Sequence, residues 1–272
     1  AGTLALAGKV NGTLTQPQFT GEMRLKNGAI SMMSLPVNLT NIQLYSSIRQ
    51  DSASIDGAFN SGQGVGRLKG SFDWKEEPHL ALTLKGDNLL IRQAPMITAI
   101  VQPDLSLDVY PFDQRLSLKG SIDVPRARIS MPETTATVIN VSPDVRVVQQ
   151  GQDLLATLKS AKPWDIRADM TLTLGNQVVF QGFGSNIPLV GRLHLSQRGL
   201  ETAMRANGAI GVSQKVKIEA YGQSLDLNRA IARFNGPLAN PTLDIDANKP
   251  VQGSMVGVRV TGTATVPNVQ VY

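Results

Sequence analysis

Cysteine is absent from the 272 residues, and histidine occurs only at His79 and His194. These two facts exclude a disulfide scaffold, a Cys-ligated zinc site, a thiol nucleophile and any multi-histidine metal centre. Aromatic residues make up 5% of the chain, too few to build base-stacking platforms. The 26 Lys and Arg are scattered, and their net excess over Asp and Glu is only +5. No basic cluster of the kind that grips nucleic acid occurs, so no nucleic-acid partner is expected. The longest unbroken run of apolar side chains is the four residues Leu4–Ala7, far below the ~18 that a membrane span requires. No basic n-region or apolar h-region opens the chain, which reads as an internal piece of something longer.

What the chain does have is alternation. Apolar residues recur at every second position in Leu80, Leu82 and Leu84, in Leu105, Leu107 and Val109, and in Leu116 and Leu118. The longest run is Ile166, Ala168, Met170, Leu172 and Leu174. Leu193 with Leu195, Val216 with Ile218, Leu225 with Leu227, Leu243 with Ile245 and Val258 with Val260 repeat the pattern. A period of two places each apolar set on one face of a strand, and polar neighbours on the other. One dry and one wet face points to antiparallel sheet. Helical signal is limited to Asp153–Ser160 and Pro95–Val101, so one or two short helices are expected.

A phrase G-x-x-x-x-P-x-apolar recurs at Gly12–Phe19, Gly120–Ala127, Gly236–Leu243 and Gly262–Val269. Glycine ends or bulges a strand, proline cannot donate to a ladder, and each phrase is expected to turn the chain into its next strand. Turn signals at this density imply roughly 15–20 strands. Strands without covering helices leave three architectures open: a pair of β-sandwiches, a closed barrel, or one long open sheet that curls because a flat sheet of that width is unfavourable. In a sandwich the apolar faces are sealed core; in a curled sheet they line an open groove.

The last third carries a more specific phrase. Phe180-Gln-Gly-Phe-Gly184 precedes the strand at Leu193–Leu195. Tyr221-Gly-Gln223 precedes Leu225-Asp-Leu227, and Phe234-Asn-Gly-Pro-Leu-Ala-Asn-Pro241 precedes Leu243-Asp-Ile245. Val258-Arg-Val-Thr-Gly262 and Pro267 close the series. Over 166–272 this resembles the TamB C-terminal domain family of Gram-negative envelopes; residues 1–165 share only the looser strand-and-turn repeat of AsmA-like relatives. The resemblance implies an all-β fold, a long, mainly antiparallel sheet curled into a hydrophobic trough, the β-taco. It implies one groove running through a repetitive segment, 1–165, and a family segment, 166–272. It also implies a periplasmic location within a longer protein anchored in the inner membrane, with phospholipid acyl chains as cargo. The partner so implied is TamA, an outer-membrane barrel of the Omp85 family, and nascent β-barrel proteins such as autotransporters are further clients. The family's membrane anchor and its barrel-engaging end segment are expected to lie outside these residues. Edge-to-edge self-association of the chain is expected from its free sheet edges.

No catalytic constellation accompanies the pattern, and no enzyme activity, metal or cofactor is expected. Gly62-Gln-Gly-Val-Gly66 fails the dinucleotide fingerprint and reads as a turn. His79 and His194 read as solvated surface residues, and Asp244 and Asp246 as part of a wet strand face. The groove-lining candidates are the twenty-two alternating Leu, Ile, Val and Met residues named above. Lys69, Lys85, Lys119 and Arg192 are candidate rim cations for a lipid phosphate.

Overall fold

A computed structural model describes residues 2–13, 16–31, 36–93, 95–130, 164–200, 203–220 and 222–272. The alternation becomes strands throughout: β1 (Thr3–Thr13), β2 (Gln16–Ser31), β3 (Asn38–Arg49), β4 (Ser52–Ser61), β5 (Gly64–Asp73), β6 (His79–Asp87), β7 (Leu89–Gln93), β8 (Ile97–Tyr110) and β9 (Arg115–Ser130). After Trp164 come β10 (Asp165–Gly182), β11 (Ser185–Gln197), β12 (Arg205–Val212), β13 (Val216–Ala220), β14 (Gln223–Pro237), β15 (Thr242–Val251), β16 (Ser254–Gly262) and β17 (Pro267–Val271). All seventeen belong to one sheet. No helix and no second sheet occur among the described residues.

The order is a meander in which most strands pair antiparallel with the next, from β1–β2 to β16–β17. Two rungs are shared. β6 and β7 both pair with β8, and β12 and β13 both pair with β14, so seventeen strands occupy fifteen rungs. At ~4.8 Å per rung the sheet runs roughly 70 Å. β9 and β10 alone are parallel, with Asp165 opposite Arg115. Ser130 and Asp165 therefore lie at opposite ends of the β9–β10 ladder, roughly 50 Å apart. Among the described residues β1 and β17 each have a neighbour on one side only, so the sheet is open and not a barrel.

The curl has a local cause. Ladder irregularities lie at one level across the strands: Leu25–Ile30, Thr40–Gln43, Ile100–Gln102, Leu174–Gln177 and Leu227–Arg229. The break between β6 and β7 at Asn88 and that between β12 and β13 at 213–215 fall on the same line. Bulges bend a strand and increase its twist, so a row of them creases the sheet. Asn27, Asn41 and Asn88 sit on this crease at φ 54, 47 and 52, the left-handed conformation that asparagine tolerates best among residues with a side chain. Amides stitch its outer side: Gln102 Nε2 donates to Asn88 at 3.3 Å, and Asn228 Nδ2 to Asn248 at 2.8 Å.

Two sequence expectations are corrected. Pro95–Val101 is no helix: Pro95 and Met96 turn, and Ile97–Val101 opens β8, where paired strands on both sides supply the ladder. Gly120–Pro125 does not turn the chain; both residues lie inside β9, and the register irregularity beside Pro125 absorbs its missing donor. The other three G-x-x-x-x-P phrases do fall at strand junctions. Asp153–Ser160, the second expected helix, lies outside the described residues.

Candidate functional site: one apolar face across seventeen strands

Cross-strand partners share a face, so the register traces the apolar side directly. One row runs Leu4, Leu25, Leu44, Gly57, Leu68, Leu84, Leu105, Gly120, Met170, Leu195, Ala206 and Gly236. Every position is apolar or glycine. Ala230, Ile245, Val260 and Val269 carry the same face to the last strand. All twenty-two candidate residues lie on this face. Met170, Leu193, Leu195, Ile218, Leu225 and Leu227 are buried. The other sixteen are partly buried, and none is fully exposed.

Burial on this face is concentrated in three clusters. Leu89, Val101, Val124, Ala127 and Val178 form one buried cluster, with Val178 at 0% exposure. Met170, Leu193, Leu195 and Ala206 form a second, and Ile187, Ile218, Leu225, Leu227 and Ala247 a third. Only sixteen apolar side chains are buried among the described residues. A sandwich of this size would bury its inner faces wholesale, because a second layer covers each strand. Toward the edges the face opens, with Leu6 at 66% and Val271 at 68% exposure. An apolar cavity of about 360 Å³ lies over the C-terminal half, lined by Phe180, Phe183, Ile187, Ile218, Leu227 and Ile245 among others.

Close approach keeps the inner surface smooth. A Cβ on Gly66 would sit 2.2 Å from the Phe59 ring on the paired strand, so the glycine lets that ring lie flat.

The opposite face is polar and ion-paired. Arg229 and Arg233 meet Asp244 at 2.9 and 3.5 Å, Arg259 meets Asp246 at 3.3 Å, and Lys85 meets Asp104 at 3.1 Å. Asp165 hydrogen-bonds the Arg167 guanidinium and raises its pKa further above the usual value. Asp244 and Asp246 are thus the anionic side of a surface ion-pair network. His194 is outward, 3.7 Å from Asp169. His79 is not a simple solvated residue: its ring stacks on Tyr110 at 4.3 Å, and its Nε2 lies 3.0 Å from Asp108 Oδ1. Lys69, Lys85, Lys119 and Arg192 are not at a rim. Each alternates with inward residues along its strand and stands on the middle of the outer face. No group of three or more His, Asp or Glu poised to hold a metal ion occurs among the described residues. No described helix is long and apolar enough to cross a membrane.

Alternation missed the N-terminal third of the face. Leu4, Leu6, Phe19, Met23, Leu25, Leu44, Ile55, Phe59, Leu68 and Phe72 also point inward by register. Glycines at 8, 21, 57, 66 and 70 occupy inward positions and interrupt the apolar count. Treating glycine as neutral restores the period in each case.

The sequence profile of the TamB C-terminal domain family matches residues 53–272, from within β4 to the last residue. The match reaches back more than a hundred residues before the phrase at 166–272. The translocation and assembly module subunit TamB of Haemophilus influenzae is 25% identical over 276 aligned positions, taking in 96% of this chain and 21% of that relative. The chain thus spans about a fifth of the relative's length. It belongs to the TamB C-terminal domain family.

Proposed function

We propose that this member of the TamB C-terminal domain family is a length of hydrophobic trough that carries phospholipid acyl chains across the periplasm, from the inner toward the outer membrane. The observation that carries this reading is the single apolar face, continuous by register over all seventeen strands and covered by no second layer among the described residues. The 1–165 and 166–272 segments act as one trough, since the sheet is unbroken where β9 meets β10.

Energetics suit a conduit. Burying a methylene contributes ~0.8 kcal/mol, so two chains of about fifteen carbons gain on the order of 20 kcal/mol on leaving water. Relative to a bilayer the net is near zero, because lipid tails are equally apolar. Lipid can enter, slide and leave without a deep trap. Photocrosslinkers at Leu172, Ile218 and Ile245 in the full-length protein are expected to capture phospholipid in cells. Crosslinks to protein alone at all three positions would overturn the reading.

The edges favour a second role. β17 is wholly exposed, and no described strand pairs with its outer edge. Such an edge can template an incoming strand. In this role the chain works beside TamA, and nascent outer-membrane barrel proteins such as autotransporters augment the sheet. The same edges also permit pairing between copies of the chain.

A further inference from the structure

The outer face carries a basic basin that neither reading uses. Arg92 on β7 lies opposite Thr98, and Thr98 lies opposite Arg128 on β9; Arg126 lies opposite Gln177 on β10. Arg92 and Arg128 are therefore two rungs apart, ~10 Å, and Arg126 and Arg128 two residues apart, ~7 Å. The three arginines line a hollow of about 840 Å³ with Gln177, Gln181 and Asn186, and no carboxylate lines it among the described residues. Arg126 Nε donates to Gln177 at 2.8 Å. None of the three has a carboxylate partner among the described residues, whereas Arg229, Arg233 and Arg259 are each held by Asp244 or Asp246.

Position gives the basin its meaning. Gln181 and Asn186 line it from outside. Their chain neighbours Phe180 and Ile187 line the apolar cavity from inside. The two hollows thus share the β10–β11 wall, and that wall ends in the Phe183–Gly184 turn. We propose that Arg92, Arg126 and Arg128 bind the phosphate of a phospholipid whose acyl chains occupy the inner cavity, the molecule straddling the lip at Phe183. This rests on the trough reading and names the headgroup chemistry it selects. Guanidinium donors match phosphate oxygens in geometry and charge, and such bonds are about twice as strong as neutral ones.

The test uses the full 272-residue chain and two pyrene-labelled ligands, a phosphatidylglycerol and the diacylglycerol with the same chains. The native chain is expected to bind the phosphatidylglycerol at least tenfold more tightly. R92Q/R126Q/R128Q is expected to bring that ratio within threefold while leaving diacylglycerol affinity unchanged. K119Q, on the middle of the outer face, is expected to keep the native ratio. Inorganic phosphate alone is expected to bind at least a hundredfold more weakly than the phospholipid. Equal affinities in the native chain, an unchanged ratio in the triple variant, or loss of the ratio in K119Q would each overturn the phosphate site. Tight binding of inorganic phosphate would overturn its assignment to lipid. Failure of the native chain to bind either labelled ligand would instead overturn the trough reading, and the site with it. Should the triple variant lose both ligands, R128Q alone is held to a ratio at least threefold below native.

Discussion

Two leucines on the same face separate an open trough from a sealed core. Leu193 is 3% exposed, lies opposite Leu172 and Gly208, and packs with Met170, Leu195 and Ala206. Leu82 is only partly buried, with Gly70 and Leu107 opposite on its two sides. Leu193→Ala removes buried carbons and leaves a cavity, at a cost of about 3 kcal/mol. Leu82→Ala removes the same carbons from a surface already in partial contact with solvent. Full burial of three carbons would be worth ~2.4 kcal/mol, so partial burial with no closed cavity leaves about 1 kcal/mol. Urea unfolding followed by far-UV circular dichroism reads both costs from the midpoint shift at constant slope. A Leu82→Ala cost near that of Leu193→Ala would mean that protein covers β6, and would refute the open face.

The crease, the flattened rings and the edge supply further outcomes. Asn88→Ala should cost roughly 1–2 kcal/mol in urea unfolding, because alanine pays for the left-handed φ that asparagine tolerates, while Asn88→Gly should cost less. Gly66→Val should displace the Phe59 ring and lower stability by about 1–3 kcal/mol, again read by urea unfolding. At the C-terminal edge Gly257 and Tyr272 exchange both backbone bonds, at 2.8 and 3.0 Å, so the backbone N–H of Gln270 also points to β16, and that of Val269 points away from it, to the free edge. Val269→Pro should therefore leave the ladder intact and abolish capture of an added strand, whereas Gln270→Pro should fray β17, both read by amide hydrogen exchange and strand-peptide binding.

Much of this architecture was legible because a strand with one dry face must alternate. The runs at Leu80–Leu84 and Ile166–Leu174 gave both the element and the inward side without reference to neighbours. What a single strand cannot reveal is register, since the row from Leu4 to Gly236 exists only through eleven successive pairings. Bulges hid more. Val178, the most buried apolar residue, stays in step with Leu174, but Asn176 between them breaks the apolar run; on β9 the same irregularity does shift the phase, so that Val124 and Ala127, three apart, are both buried. Lys119 and Arg192 looked like rim residues because charge between leucines does not say how far along a strand the rim lies. Arg92, Arg126 and Arg128 escaped notice because they meet only across β7, β8 and β9. The crease did leave a trace, as asparagines at 27, 41 and 88 inside otherwise strand-like stretches.

The absence of cysteine allows the most direct test of the uncovered face. Single cysteines placed in turn at positions 80 to 85 of β6 are reacted with a thiol reagent, with and without phospholipid. Positions 80, 82 and 84 should react in the lipid-free protein and become protected when lipid is added, while 81, 83 and 85 should react equally in both states. Even-numbered positions that stay unreactive without lipid, or protection that shows no alternation, would contradict the trough.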